Sequence, residues 1–279
     1  MGSAPSHAGS GLDPARNLAS VRRILSCRSC AVRHVCLPCG LGPEGLERLK
    51  GVSPRPSPVE HGEHLFRPGD TLRALYAVKS GSVKVYKPMA DGDEQIVGFH
   101  FPGELIGLDG LATNSHTCAA AALETTAICE FPVTQLHEMC HNYPPVRQEL
   151  NRLLGTHLTH LRNMLLLVGR KSAEGRLAGF LLDLSGRLKT RGYSPCQFYL
   201  SMSRLDIANY LGLAVETVSR VFSRFQDEGL LSVQLRHVYI QDLDRLQGLV
   251  SAGTGIVGPF RPQHQVGAMA IAGGATMSS

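Results

Sequence analysis

The chain has 279 residues, enough for two packed domains, and no stretch reaches the ~18 apolar residues of a membrane span. Its net charge of +5 hides a division, since residues 59–146 carry 5 Lys/Arg against 11 Asp/Glu and residues 147–241 carry 13 against 7. A basic second half is suited to a polyanion, and the Gly/Ser/Ala/Pro-rich start lacks the apolar core of a signal peptide, so the expected compartment is the cytoplasm, with the eight cysteines mostly reduced.

In chain order, residues 1–20 and 249–279 have the composition of disordered tails. Segment 21–58 contains Cys27-Arg-Ser-Cys30-Ala-Val-Arg-His-Val-Cys36-Leu-Pro-Cys39. Thiols this dense in a reducing compartment point to a soft metal, and two chemistries stay open at this stage. Zinc would take four local ligands, whereas an iron–sulfur cluster can take three here and one from elsewhere. The isolated Cys118, Cys140 and Cys196 read as inert apolar residues.

Over residues 59–143 short apolar runs such as Ala74–Val78, Ser82–Tyr86 and Gln95–Phe99 alternate with Pro68-Gly69-Asp70, Ser80-Gly81, Asp91-Gly92-Asp93 and Pro102-Gly103. Such spacing predicts an antiparallel β-roll or barrel. After Pro144-Pro145 the period lengthens: Leu154, Leu158, Leu161, Leu165 and Val168 lie four, three, four and three residues apart, a coiled-coil seam on one long helix over 144–170. A second amphipathic helix follows from Ala173 to about Thr190, built on Leu177, Phe180, Leu181 and Leu184.

Within 171–248, a Ser203-capped helix should stop at Gly212 and a second begin near Ala214, which is a helix-turn-helix pattern. Leu205, Ile207, Leu211, Val218, Val221, Phe222 and Phe225 are assigned to the buried faces, with Ala208 small at the crossing. Glu216, Thr217, Ser219 and Arg220 are placed at the exposed start of the second helix and have side chains of the types that read base edges. The run Gly229–Ile240 supplies the β-wing of a winged helix. The fold class expected is therefore α+β: a cysteine-rich segment, an antiparallel β-roll, a long helix and a C-terminal winged helix.

These residues together resemble the FNR (fumarate and nitrate reductase regulator) family of the CRP/FNR superfamily over roughly residues 20–248. The resemblance rests on Cys27-x-x-Cys30-x5-Cys36, Gly92-Asp-Glu-Gln-Ile96 with Gly98-Phe-His100, Leu123-Glu-Thr-Thr-Ala-Ile-Cys129-Glu, and Tyr210-Leu-Gly-Leu-Ala-Val-Glu-Thr-Val-Ser-Arg220. It implies an oxygen-responsive transcription regulator, mainly an anaerobic activator and not an enzyme. In the family a [4Fe–4S] cluster is held by positions matching Cys27, Cys30, Cys36 and Cys129, which leaves Cys39 surplus. A zinc-stabilised regulator without oxygen sensing is the alternative.

The resemblance further implies a homodimer joined along Leu154, Leu158, Leu161, Leu165 and Val168, and half-sites similar to TTGAT read by Glu216, Ser219 and Arg220 in double-stranded DNA. Surfaces that touch RNA polymerase would include Ser80, Gly92, Asp93, Thr125 and Ser194. Leu161 stands where the family places an acidic residue in the seam. Cyclic-nucleotide receptors of the superfamily hold the ligand phosphate with an Arg after the Gly-Glu motif; here Phe101-Pro-Gly-Glu104 is followed by no Arg or Lys from Leu105 to Ala122, so no cyclic nucleotide is expected.

Overall fold

The computed structural model describes residues 27, 30–37, 41–48, 53–54 and 58–251. Cys39, the tail expected over 1–20 and residues 252–279 lie outside the described residues. A short helix α1 (Pro43–Arg48) precedes eight strands: β1 (Ser53–Pro54), β2 (His64–Phe66), β3 (Ala74–Ser80), β4 (Val83–Pro88), β5 (Glu94–His100), β6 (Leu105–Ile106), β7 (Ala119–Ala122) and β8 (Ala127–Pro132). They form two four-stranded antiparallel sheets, ordered β1-β8-β3-β6 and β2-β7-β4-β5. The space between them is filled by Val59, Leu65, Phe66, Val78, Val83, Ile106 and Ile128. This is the β-roll that the short runs and Gly turns predicted.

Helix α2 (Val133–Asn142) leaves the roll directly, and α3 (Pro144–Arg170) begins with proline in its first turn, where a missing N–H costs no hydrogen bond. The chain turns at Lys171, which is extended, and Ser172 caps α4 (Ala173–Thr190) by accepting the N–H of Gly175. Gly179 of α4 lies against Leu167 of α3, and the missing Cβ lets the two helices close at this tight turn.

The remaining elements are β9 (Gln197–Tyr199), α5 (Arg204–Leu211), α6 (Val215–Asp227), β10 (Leu231–Gln234), β11 (His237–Ile240) and α7 (Leu243–Ser251). Ser203 and Asp206 form a reciprocal capping box at the start of α5. Gly212 ends it at φ 60, a left-handed conformation that favours glycine. The wing is the antiparallel sheet β10-β11-β9, one strand larger than the pattern predicted. Helix α7 reaches Ser251, past the domain boundary placed at 248.

Leu205 departs from expectation: it is 67% exposed rather than part of the buried face. At about 100° per residue it lies some 200° around the helix from the buried Ile207, so the two cannot share a face. The other assigned positions are buried, Ala208 among them.

One core unites the two halves. Ile96, Phe99 and Phe101 from the roll pack with α4, α5, α6 and the wing, and Phe99 meets Tyr210 and Phe180 edge to face at 5.0 and 6.1 Å.

Candidate metal centre and nucleic-acid interface

The cysteine segment folds back on itself through Arg33 N–H to Cys30 C=O and Val35 N–H to Val32 C=O, at 3.2 and 3.1 Å. This turn carries Cys36 and Leu37 down onto the roll, where both are buried. Cys27, Cys36 and Cys129 share one apolar cluster with Leu75, Ala77, Leu105, Phe131, Leu136 and Val146. Cys129 is on β8, opposite Ala77 of β3 and Pro54 of β1. Val146, Leu150 and Leu153 bring the first turns of α3 against the same cluster.

Cys27, Cys30, Cys36 and Cys129 are electrostatic neighbours. Burial pushes the Cys36 thiol up, against a hydrogen bond from the backbone of Leu37, and the charges of Cys129, Cys27 and Cys30 push it further. Burial takes Cys129 up to about 11, with Lys79 opposing and Cys27 and Cys30 reinforcing. Cys27 is raised by burial and by Cys30. Among the described residues no three His, Cys, Asp or Glu side chains meet closely enough to hold a single metal ion. The donor set is thus soft thiols, with burial raising Cys27, Cys36 and Cys129, which a cationic group would convert to thiolates on binding.

On α6, Val218, Val221, Phe222 and Phe225 are buried, leaving Glu216, Ser219 and Arg220 exposed and Thr217 half-buried. Ser219 donates to the carbonyl of Val215 at 2.9 Å. Arg204, at the start of α5, was not singled out by sequence. Its guanidinium lies 3.1 Å over the Phe222 ring, and its Nη1 is buried with no hydrogen-bond partner. Burial lowers it to about 10. This places a cation next to the reading helix with one buried guanidinium nitrogen lacking an acceptor.

Along α3, Leu158, Leu161 and Leu165 are exposed by 49%, 36% and 75%, while Leu154 and Val168 are half-buried. Leu166 is also exposed. Ser80, Gly92, Asp93, Thr125 and Ser194 are all exposed. Ser80 ends β3 at the β3–β4 turn, where Gly81 approaches the carbonyl of Thr125 from the β7–β8 connection; Gly92 and Asp93 lie in the β4–β5 hairpin, and Ser194 lies in the loop before β9. Thr125 donates to Glu60 at 2.9 Å and Ser194 accepts the N–H of Gln197 at 3.1 Å.

A β-roll, a long helix with an uncovered apolar stripe and an exposed helix-turn-helix define a DNA-binding transcription regulator of the CRP type. Residues 57–143 match the cyclic nucleotide-binding domain family and residues 175–249 the Crp-like helix-turn-helix domain family. The chain is 44% identical to the transcriptional activator protein Anr of Pseudomonas protegens, over 83% of this chain and 94% of that protein. It is 41% identical to the fumarate and nitrate reduction regulatory protein of Escherichia coli, over 82% and 94%. Among solved structures, FixK2 from Bradyrhizobium japonicum superposes with a TM-score of 0.67 at 31% identity, covering 73% of this chain and 99% of that one. The chain belongs to the Fnr/Anr family of transcription regulators, whose members are not enzymes. No helix among the described residues is long and apolar enough to cross a membrane.

Proposed function

We propose that the chain is an oxygen-responsive regulator, mainly an anaerobic activator in the cytoplasm, whose binding to TTGAT-like palindromes is governed by a [4Fe–4S] cluster on Cys27, Cys30, Cys36 and Cys129. The observation that carries this reading is the meeting of Cys27 and Cys36 with Cys129, from a distant part of the sequence, in the apolar cluster that also packs the start of α3, with Cys30 their electrostatic neighbour. A single zinc ion needs four sulfurs about 3.8 Å apart around one centre, whereas a polynuclear cluster spreads its thiolates over its corners. Thiols drawn from both the N-terminal segment and β8, rather than from one local run, favour the second case.

Bound there, the cluster supplies an oxygen-labile cross-link among the thiolates. The chain's own residues do the rest. Cys36 and Leu37 fix the segment to the roll, and Val146, Leu150 and Leu153 feel its order at the start of α3. Leu158, Leu161 and Leu165 present an apolar stripe to a second copy, and two-fold symmetry would set two α6 helices over a palindrome. Glu216, Thr217, Ser219 and Arg220 would face the bases, and Ser80, Gly92, Asp93, Thr125 and Ser194 lie on surfaces open to RNA polymerase. A cyclic nucleotide is not part of this reading, since the Glu104 carboxylate is already held by Arg187 and Arg191.

Protein purified without oxygen is expected to be straw-brown, to contain iron and acid-labile sulfide, and to bleach in air with loss of DNA affinity. A colourless protein with stoichiometric zinc and unchanged DNA binding would replace this reading with the zinc-stabilised one.

A further inference from the structure

The turn Phe101-Pro-Gly-Glu104, between β5 and β6, is the meeting point of three parts of the molecule. The Glu104 carboxylate accepts from Arg187 on the last turn of α4 and from Arg191 just beyond it. Arg191 also donates to the carbonyl of Pro102 at 2.6 Å, Arg187 donates to that of Phe99, and the Arg187 guanidinium lies 4.6 Å over the Phe101 ring. Little of this is open to water: the side chains of Glu104, Arg187 and Arg191 are 22%, 15% and 4% exposed.

The cysteine segment touches both sides of this junction. On the roll side, Gly103 has φ 91 and no Cβ, and Val35 fills the space a Cβ would take. On the α4 side, His34 Nε2 is 3.1 Å from the carbonyl of Thr190, a residue that lies between Arg187 and Arg191. His34 and Val35 are the two residues before Cys36.

Buried ion pairs add little net stability over apolar packing, but forked arginine–carboxylate pairs restrict relative orientation sharply. We propose that Glu104 is a positioning residue that latches the DNA-binding domain to the roll, and that the latch is the route by which order in the Cys30–Cys36 loop is passed to the DNA-binding domain of the same chain. The second half rests on the cluster reading above. The latch itself does not.

Amide hydrogen exchange on the full-length protein, with and without iron, separates the two. In iron-free protein, Glu104→Gln is expected to speed exchange at residues 99–104 and 187–193 by about tenfold, with Glu104→Asp restoring part of the protection and the control Glu60→Gln changing nothing. Arg187→Lys, which keeps the charge but loses the two-pronged bond to Glu104, serves as the second variant should Glu104→Gln fold poorly, and it should act in the same direction. In wild-type protein, iron loading should protect residues 31–37 and 187–193 together. In the variant it should protect only 31–37, and the ratio of DNA affinities between loaded and iron-free protein should shrink at least about fivefold. Unchanged exchange at 187–193 in both folded variants overturns the latch. If instead 31–37 of wild-type protein do not respond to iron, the cluster reading fails and the relay with it, whereas the latch stands on the iron-free result.

Discussion

Asn209 of α5 pairs with the backbone at Ile96 of β5 as a neighbouring strand would. Its Oδ1 accepts the Ile96 N–H at 2.6 Å, and its Nδ2 donates to the Glu94 carbonyl at 2.6 Å. Gln95 returns a bond from Nε2 to the Asn209 carbonyl at 2.8 Å. Strand β5 is the edge of its sheet, so these backbone groups have no ladder partner, and the first helix of the helix-turn-helix covers them.

Asn209→Ala is therefore expected to cost roughly 1–3 kcal/mol, because it strips two backbone groups of their partners at a half-buried contact. Urea unfolding of wild-type and variant protein measures this. Asn209→Asp should also destabilise, since it loses the donor to the Glu94 carbonyl and adds charge beside Glu94 and Asp206. Midpoints equal to wild type would mean that water replaces the contact without loss.

The cysteines give a second expectation. Cys27→Ala, Cys30→Ala, Cys36→Ala and Cys129→Ala should each lose iron and anaerobic activation, while Cys39→Ala, Cys118→Ala, Cys140→Ala and Cys196→Ala retain both. Iron content of each anaerobically purified variant decides. Cys140 is the sharpest control, because it borders the same apolar cluster as the ligand set. A full cluster in Cys129→Ala together with its loss in Cys39→Ala would reassign the fourth ligand.

What could be read from sequence follows the range of the interactions. Ser203, Gly212 and the exposed start of α6 were legible because caps and helix faces depend on residues within one or two turns. Cys129 could be joined to Cys27, Cys30 and Cys36 only through family resemblance, since spacing alone left four local ligands equally open. Sequence marked Pro102-Gly103 as a turn but gave Glu104 no partner, because its arginines are 83 and 87 residues away and no periodicity links such positions. Leu205 was misplaced because apolar character outweighed its position on the helix.

Stability should fall on mild acidification, and the buried groups around the latch give the sign. Burial lowers His100 from the ordinary 6.5 to about 3, although Glu104 opposes the shift. Burial lowers His157 too. For Glu104 burial alone would raise the carboxyl, but Arg187 and Arg191 outweigh it and hold the group well below its usual range. All three bind protons less readily in the folded state. The contribution of the histidines is thus complete above pH 6.5 and declines as pH falls toward their folded values, and that of Glu104 declines only below 4.5. Urea midpoints should drop between pH 7 and about 5, and His100→Gln should flatten that drop. An equal slope in the variant would place the acid sensitivity elsewhere.

Arg220→Ala is expected to cost roughly 1–3 kcal/mol of specific DNA binding and to relax preference at one base pair of each half-site. Glu216→Ala should do the same at another position. Binding titrations on matched and singly mismatched duplexes provide the check, and equal weakening on both would make Arg220 a phosphate contact. Arg204→Ala, by contrast, should weaken all sequences alike and lower the salt dependence, as loss of a backbone contact does.

On the proposed function, Leu161 would set how tightly oxygen controls dimerisation. With Leu158 and Leu165, Leu161 forms an apolar stripe that the isolated chain leaves open to water, at the proposed seam position where the family resemblance implies an acid. Covering the exposed 36–75% of each leucine in a dimer is worth a matching fraction of the roughly 1.5–3 kcal/mol of a fully buried side chain, where facing carboxylates would repel. Of the basic residues beside Leu161, Arg162 is exposed, while the two histidines turn inward. His160 turns to Asp183, at 3.5 Å, and the His157 ring lies beside His100, at 6.3 Å, so both face the chain's own interior. The cluster-free protein is therefore expected to keep more dimer in air, with residual DNA binding, than a relative with an acid in the seam. Leu161→Asp should return dimerisation to dependence on the cluster. Sedimentation of the aerobic protein at micromolar concentration tests this: a monomer unaffected by Leu161→Asp would show that the stripe contributes nothing to association.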